Sequence, residues 1–295
     1  MAVRNDSSFQ FTNADLTNFH AWCSFIDALF KTNGLWVDTA ATGSIDLTSV
    51  AIPTVINTSS GYKVYRMADT LQATAPVFIK VEFGSGAGVT FPSLWFTVGT
   101  THDGLGNIGN VLLTRVQNQV AAAGSTPNGL NFGSADTNRC CFVMQATSPG
   151  GSTNTSLWFS IERTKDSSGA DTNAGFIVGY GAYTIRHVSA YLPNVGLVPP
   201  TTVGLHCLLS YLSPSAFNGD VGVAAMIPMA TAPQQPGMNV ILVRASDFIA
   251  GASPVISVYG VNHLYAHCGI LINTMRAVST GGLDDANVRL CLRYE

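Results

Sequence analysis

In the stretch Val77-Phe78-Ile79-Lys80-Val81-Glu82-Phe83, apolar residues occupy positions 77, 79, 81 and 83, with Phe78, Lys80 and Glu82 between them. A period of two marks a half-buried β-strand, because successive side chains leave the backbone on opposite faces. Leu94, Phe96 and Val98 alternate in the same way with Trp95 and Thr97, and Val288, Leu290 and Leu292 with Arg289, Cys291 and Arg293. Comparable runs lie near 61–67, 111–119, 140–147, 157–164, 176–190, 239–244 and 255–275, separated by Gly, Pro, Asn and Ser clusters. Short strands between turn-forming clusters predict a mainly β chain, an antiparallel β-sandwich of jelly-roll-like type.

Ahead of the strands the period is helical. Leu16, Phe19, Cys23, Ile26 and Phe30 recur at helix spacing, and Trp22 and Leu29 widen the apolar stripe. Thr12 with Asp15 resembles a capping box and Asn33-Gly34 supplies a stop, so one amphipathic α-helix is predicted over 13–33. Residues 1–34 then form an N-terminal segment and 35–295 a β-rich body. One candidate internal boundary lies near 193–200, where Pro193, Pro199 and Pro200 interrupt strand pairing. Ser93-Leu94-Trp95-Phe96-Thr97-Val98 and Ser156-Leu157-Trp158-Phe159-Ser160-Ile161 echo one another, as two strands in similar surroundings would.

Charge is scarce. Asp, Glu, Lys and Arg make up 11% of the 295 residues, against roughly 25% in an average soluble domain. Mean hydropathy is +0.26, and polarity comes from Ser, Thr, Asn and 29 Gly. A free protein ordinarily stays soluble through surface charge, so this composition favours a subunit of an assembly or a surface protein. The net charge is −3 and no run of Lys or Arg occurs, which argues against direct nucleic-acid binding. No stretch reaches 18 continuous apolar residues, and Met1-Ala2-Val3-Arg4-Asn5-Asp6 leads into polar sequence. The expectation is synthesis in a cytoplasm with no membrane insertion. The six cysteines are thinly spread and are expected to be reduced.

Each candidate for chemistry has a plainer reading beside it. Gly84-Ser85-Gly86-Ala87-Gly88 follows a strand as a phosphate loop would, but Val89-Thr90-Phe91-Pro92 does not begin a helix, so a hairpin loop is expected. His263 and His267, with Cys268 adjacent and His206-Cys207 elsewhere, are weak metal candidates. They lack a Cys-x-x-Cys pair and a nearby carboxylate, so no metal site is assigned. Asp103-Gly104-Leu105-Gly106-Asn107-Ile108-Gly109 looks like a calcium loop but has too few carboxylates, and a Gly-rich turn is expected.

No Gly-x-Ser-x-Gly elbow is present. Glu162, Asp166 and Asp171 could supply paired carboxylates, yet Glu162-Arg163 suggests an ion pair and the aspartates suit a hairpin loop. No catalytic residue and no cofactor is therefore assigned. Trp95, Trp158, Tyr183 and Tyr191 are the aromatic candidates for stacking on a sugar, with core packing as the plainer role.

Gly61-Tyr62-Lys63-Val64-Tyr65-Arg66-Met67, the run Asp69 to Gly84, Pro92 to Gly99, and Phe159 to Asp166 followed by Gly175 resemble segments shared by some tailed-bacteriophage virion proteins. The resemblance covers roughly residues 8–190 and carries no catalytic motif. It implies a non-enzymatic structural subunit of the tail, baseplate or head–tail region, located in the virion and bound to copies of itself and to other virion proteins. The alternative is a host-receptor or glycan-binding module of the adsorption apparatus, with a host-surface glycan as partner.

Overall fold

A computed structural model describes residues 6–11, 15–39, 42–85, 92–119, 129–147, 154–166, 168–180, 186–192, 196–197, 205–207, 223–228, 237–244, 255–258, 261–271 and 288–293. These residues form one N-terminal helix and three sheets whose strands all pair antiparallel.

Helix α1 (Leu16–Ala28) begins one turn later than the sequence predicts. Asp15 is the cap, its Oδ1 accepting from the Asn18 amide at 2.8 Å; Thr12 lies outside the described residues. A short acceptor side chain does this well because the first-turn amides have no helical partner. Phe19, Trp22, Cys23, Ile26, Leu29 and Phe30 are buried as the periodicity predicts, whereas Leu16 stays half exposed. A π-helical turn, Leu29–Asn33, ends the element, with the Gly34 amide donating to the Leu29 carbonyl at 3.0 Å. The left-handed residue is Leu35 (φ 56°), not Gly34. Gly34 is needed for space: an added Cβ would stand 2.8 Å from Trp36 Cδ1.

The five-stranded sheet runs β2 (Val37–Asp38), β3 (Ser59–Arg66), β4 (Phe78–Ser85), β5 (Pro92–His102), β6 (Ile108–Gln119), each paired with the next. The alternating stretch around Lys80 forms β4, with Ile79, Val81 and Phe83 buried and Lys80 and Glu82 on the opposite face. Strands β4 and β5 pair antiparallel from Phe78↔Gly99 to Ser85↔Pro92, and residues 86–91 of the Gly-rich segment between them lie outside the described residues.

The seven-stranded sheet comprises β1 (Asp6–Phe11), β7 (Gly129–Asp136), β8 (Arg139–Thr147), β9 (Asn154–Lys165), β10 (Asp171–Tyr180), β11 (Arg186–Leu192) and β12 (Gly196–Leu197), in that order. Strands β1 and β7 were not foreseen; Ser7-Ser8 and Asn131, Gly133 and Ser134 dilute their hydrophobic period. The six-stranded sheet is built only from later strands: β13 (Leu205–Cys207), β14 (Val223–Pro228), β15 (Gly237–Arg244), β16 (Val255–Val258), β17 (Val261–Leu271) and β18 (Val288–Arg293), ordered β13-β14-β15-β18-β17-β16.

The main core forms where the five- and seven-stranded sheets meet each other and α1. Phe96 of β5 stacks on Phe159 of β9, ring centroids 4.4 Å apart; these residues hold equivalent places in the two echoing segments. Trp22 meets Phe83 edge-on, and its indole N–H donates to Asn131 Oδ1 at 3.2 Å. Phe30 stacks on Tyr65 at 4.6 Å. Burial of such rings contributes roughly 25 cal/mol per Å² of apolar surface removed from water.

The opposite face of the seven-stranded sheet is buried too. Ser134, Cys141 and Ser160 make one covered row across β7, β8 and β9. Strand β15 lies against β8 and β9, and β18 against β7, which makes the seven-stranded sheet a middle layer. Cys140 and Cys141 point to its two sides, and they are unbridged and buried, as is Cys23. Burial raises the Cys23 and Cys140 thiols well above their ordinary range.

Arg163 does not pair with its neighbour Glu162, because adjacent strand residues face opposite sides. Its Nε meets Asp69 Oδ2 at 2.7 Å and its Nη2 donates to the Ala75 carbonyl at 2.6 Å, with both charged side chains at most 2% exposed. Glu162 stands opposite Arg139 in the register, and both are buried. Breaking a buried pair leaves one charge uncompensated. Arg163→Met should therefore destabilise the fold by about 3–5 kcal/mol in urea unfolding, and Asp69→Leu with Arg163→Met should recover much of that loss. A single substitution costing under about 1 kcal/mol would show the pair to be solvated.

Candidate functional site

Most described carboxylates already have structural work. Asp27 accepts from the Tyr65 hydroxyl at 2.7 Å and meets Lys31 Nζ at 3.2 Å. Asp38 pairs with Lys63 at 3.1 Å, and Asp171 with Lys165 and the Asn138 amide. Burial first and Asp27 second push the Tyr65 hydroxyl well above its ordinary range. Glu162 is buried in β9, Asp166 sits in the β9–β10 turn and Asp171 is ion-paired, so no open pair of carboxylates is assembled from these three. Among the described residues no group of three or more His, Cys, Asp or Glu side chains could hold a metal.

The loop with calcium-like spacing is a hairpin turn. Asp103 Oδ1 accepts from the Leu105 amide at 2.7 Å and the Asn107 amide at 3.0 Å, while Oδ2 accepts from Asn107 Nδ2 at 2.6 Å. The Asn107 side chain is the largest influence holding this carboxyl below its ordinary range, followed by the Leu105 amide. Gly104 and Gly106 take left-handed φ of 78° and 86°, and at Gly106 a Cβ would collide with the Tyr62 ring.

His263 and His267 fall on β17, opposite Ile256 of β16 and Cys291 of β18 respectively. His206 and Cys207 lie on β13, separated from β17 by β14, β15 and β18. At about 4.8 Å per strand that is roughly 19 Å, too far for one metal. The register instead brings Cys291 beside His267, a neighbour that sequence spacing hides.

Of the aromatic candidates, Tyr183 lies outside the described residues, and so do the side chains of Trp158 and Tyr191. Trp158 holds a position on β9 opposite Val143, and Tyr191 one on β11 opposite Gly175. Trp95 is only 2% exposed and cannot serve as an open platform. The Arg115 guanidinium lies 4.7 Å over its ring and bonds Glu82, Nε to Oε2, at 3.0 Å.

Around Trp95 the outer face of the five-stranded sheet gathers charge that the sequence disperses. Register places Tyr62, Glu82 and Trp95 in one row, Val64, Lys80 and Thr97 in the next, and Arg66 with Phe78 in a third. Lys80 Nζ stands 4.3 Å over the Tyr62 ring, whose hydroxyl donates to the Leu105 carbonyl at 2.9 Å. Arg66 Nη2 donates to Gln72 Oε1 at 3.0 Å. Lys80 and Arg66 make no ion pair among the described residues, so three cations face a single carboxylate, Glu82. Arg115 owes its position to a register shift between Phe96 and Val98, where its φ is 29°; such irregularities re-aim side chains. Residues 66, 80 and 115 are far apart in the chain, so the patch becomes visible only through strand register.

No protein-family model, characterised protein or solved structure matches the chain.

The Asp103 turn makes a direct test of these electrostatics. Because the folded carboxyl titrates low, its bonds are intact above about 3.9, the ordinary aspartate value, and are lost only as pH falls through the lowered one. Carbon-detected NMR titration should find the Asp103 midpoint below that value, and Asn107→Ala should move it upward. An unchanged midpoint in the variant would remove Asn107 from the account.

Proposed function

We propose that the chain is a non-enzymatic structural subunit of a tailed-phage particle, placed in the tail, baseplate or head–tail region. In this reading its layered sheets are a jelly-roll-like β-sandwich, made in the host cytoplasm and carried in the virion beside copies of itself and other virion proteins. The observation that carries it is the use of charge. Only 11% of the residues are charged, and among the described ones Asp69, Arg139, Glu162 and Arg163 are buried, which leaves little surface charge to keep a free monomer soluble. Leu35 just before edge strand β2, Val37 within it, and Val55 and Ile56 before β3 present exposed apolar side chains that a neighbour would cover.

The segments carrying the phage resemblance fall on β3, β4, β5, β9 and β10, which frame the core. A host-glycan module would draw on open aromatic rings. Arg115 over Trp95 weakens that alternative.

Light scattering of the purified full chain over rising concentration should find stable or reversibly growing multimers, with rings or tubes under the electron microscope. A strict monomer at every concentration, with no incorporation into particles when co-expressed with other virion proteins, would sink this reading.

A further inference from the structure

The outer face of the five-stranded sheet is cationic in a chain of net charge −3, and it is matched by one particular acidic turn. Among the described residues, three exposed turns present an aspartate: Asp46, Asp103 and Asp166. Both Asp103 oxygens are occupied, as described above, and both Asp46 oxygens are bonded, Oδ1 by Thr48 and Oδ2 by the Ser49 hydroxyl. Asp166 differs. Its Oδ1 accepts from the Ser168 amide at 2.8 Å, the Ser168 hydroxyl at 2.6 Å and the Ala170 amide at 3.0 Å, while Oδ2 makes no hydrogen bond among the described residues. The carboxylate is thus held at the exposed tip of the β9–β10 hairpin, with Oδ2 left without a donor among the described residues. Those same donors, the Ser168 hydroxyl foremost, hold it below the ordinary aspartate range and keep it ionised.

We propose that the Asp166 turn of one copy docks on the Lys80–Arg66–Arg115 face of the next. This rests on the assembly reading above and names the contact that would carry it. The cations are pre-ordered, Lys80 on Tyr62 and Arg115 on Trp95, so less side-chain freedom is lost on meeting an anion. Arg, Tyr and Trp are also the residues that most often dominate protein interfaces. A sugar is the weaker occupant, because the Trp95 ring is covered and the Tyr62 ring lies under Lys80. The two surfaces are different patches of one chain, so the contact is heterologous. Repeated, it closes into a ring or runs on as a filament.

The test uses the full chain and charge reversal. Asp166→Lys and Lys80→Glu should each weaken self-association about tenfold or more, and the two together should restore it, read by light scattering and sedimentation. Circular dichroism and thermal melting check that each variant is folded. Asp166→Asn keeps the turn acceptor, removes the charge and should give an intermediate loss should a reversal variant fail to fold. A wild-type multimer indifferent to both single reversals, or a double variant no better than the singles, would overturn this contact while leaving the assembly reading intact. A wild-type chain that stays monomeric at every concentration would overturn this contact, and the assembly reading falls with it only where the chain also fails to enter particles on co-expression. If Lys80→Glu leaves assembly unchanged but abolishes binding to alginate, a uronate polymer, the face belongs to an acidic glycan and the proposal is wrong.

Discussion

The stack of Phe96 on Phe159 is the constraint around which the other elements arrange themselves. It holds the five- and seven-stranded sheets in direct ring-to-ring contact, centroids 4.4 Å apart, which leaves no room for a helix between them at that point. Helix α1 and the π-helical turn after it accordingly occupy the flank, where Trp22, Phe25 and Phe30 reach Phe83, Phe142 and Tyr65. Interiors pack at crystal-like density, so a smaller side chain at 96 or 159 would leave a cavity and not a gentle closure. The π-helical turn follows from the same demand. It lets Leu29 and Phe30 both bury while the chain still reverses in time for Trp36 to donate its indole N–H to the Asp136 carbonyl at 2.8 Å.

Scarcity of charge changes what each charged group does. In an average domain most carboxylates and ammonium groups are solvated and nearly interchangeable. Here Asp15 caps a helix, Asp103 and Asp166 shape hairpins, and Asp69 holds Arg163 in the interior. Buried pairs of that last kind are weak contributors to net stability, since desolvation offsets most of the attraction. What Asp69–Arg163 does supply is location. It ties the segment between β3 and β4 to the end of β9, and the Ala75 carbonyl accepts from the same guanidinium.

The β class, the helix and most strand positions were legible because they depend on local period, which a single sequence records. The alternation around Lys80 became β4 with its faces as predicted. What escaped were features fixed by partners distant in sequence. Strand β7, Gly129–Asp136, carries Gly, Asn and Ser on a strand covered on both sides, so its hydrophobic period is weak. Arg163 does form an ion pair, but with Asp69, 94 residues earlier, a partner that the sequence hides. Leu35, not Gly34, took the left-handed backbone, since space beside Trp36 and Ala135 decided where glycine was needed.

The cationic face shows the same limit from the functional side. Arg66, Lys80 and Arg115 are unremarkable in the sequence, each isolated among uncharged residues or beside a single acid. Their convergence depends on the β3–β4–β5 register and on a shift between Phe96 and Val98 that turns Arg115 over Trp95. A one-residue slip would move every one of these side chains to the opposite side of the sheet. The buried alternation of Ile79, Val81 and Phe83 forbids that slip, because it would expose those three residues to water. The apolar face therefore fixes the charge pattern on the outer face, and the core residues that define the fold also determine what the surface can recognise.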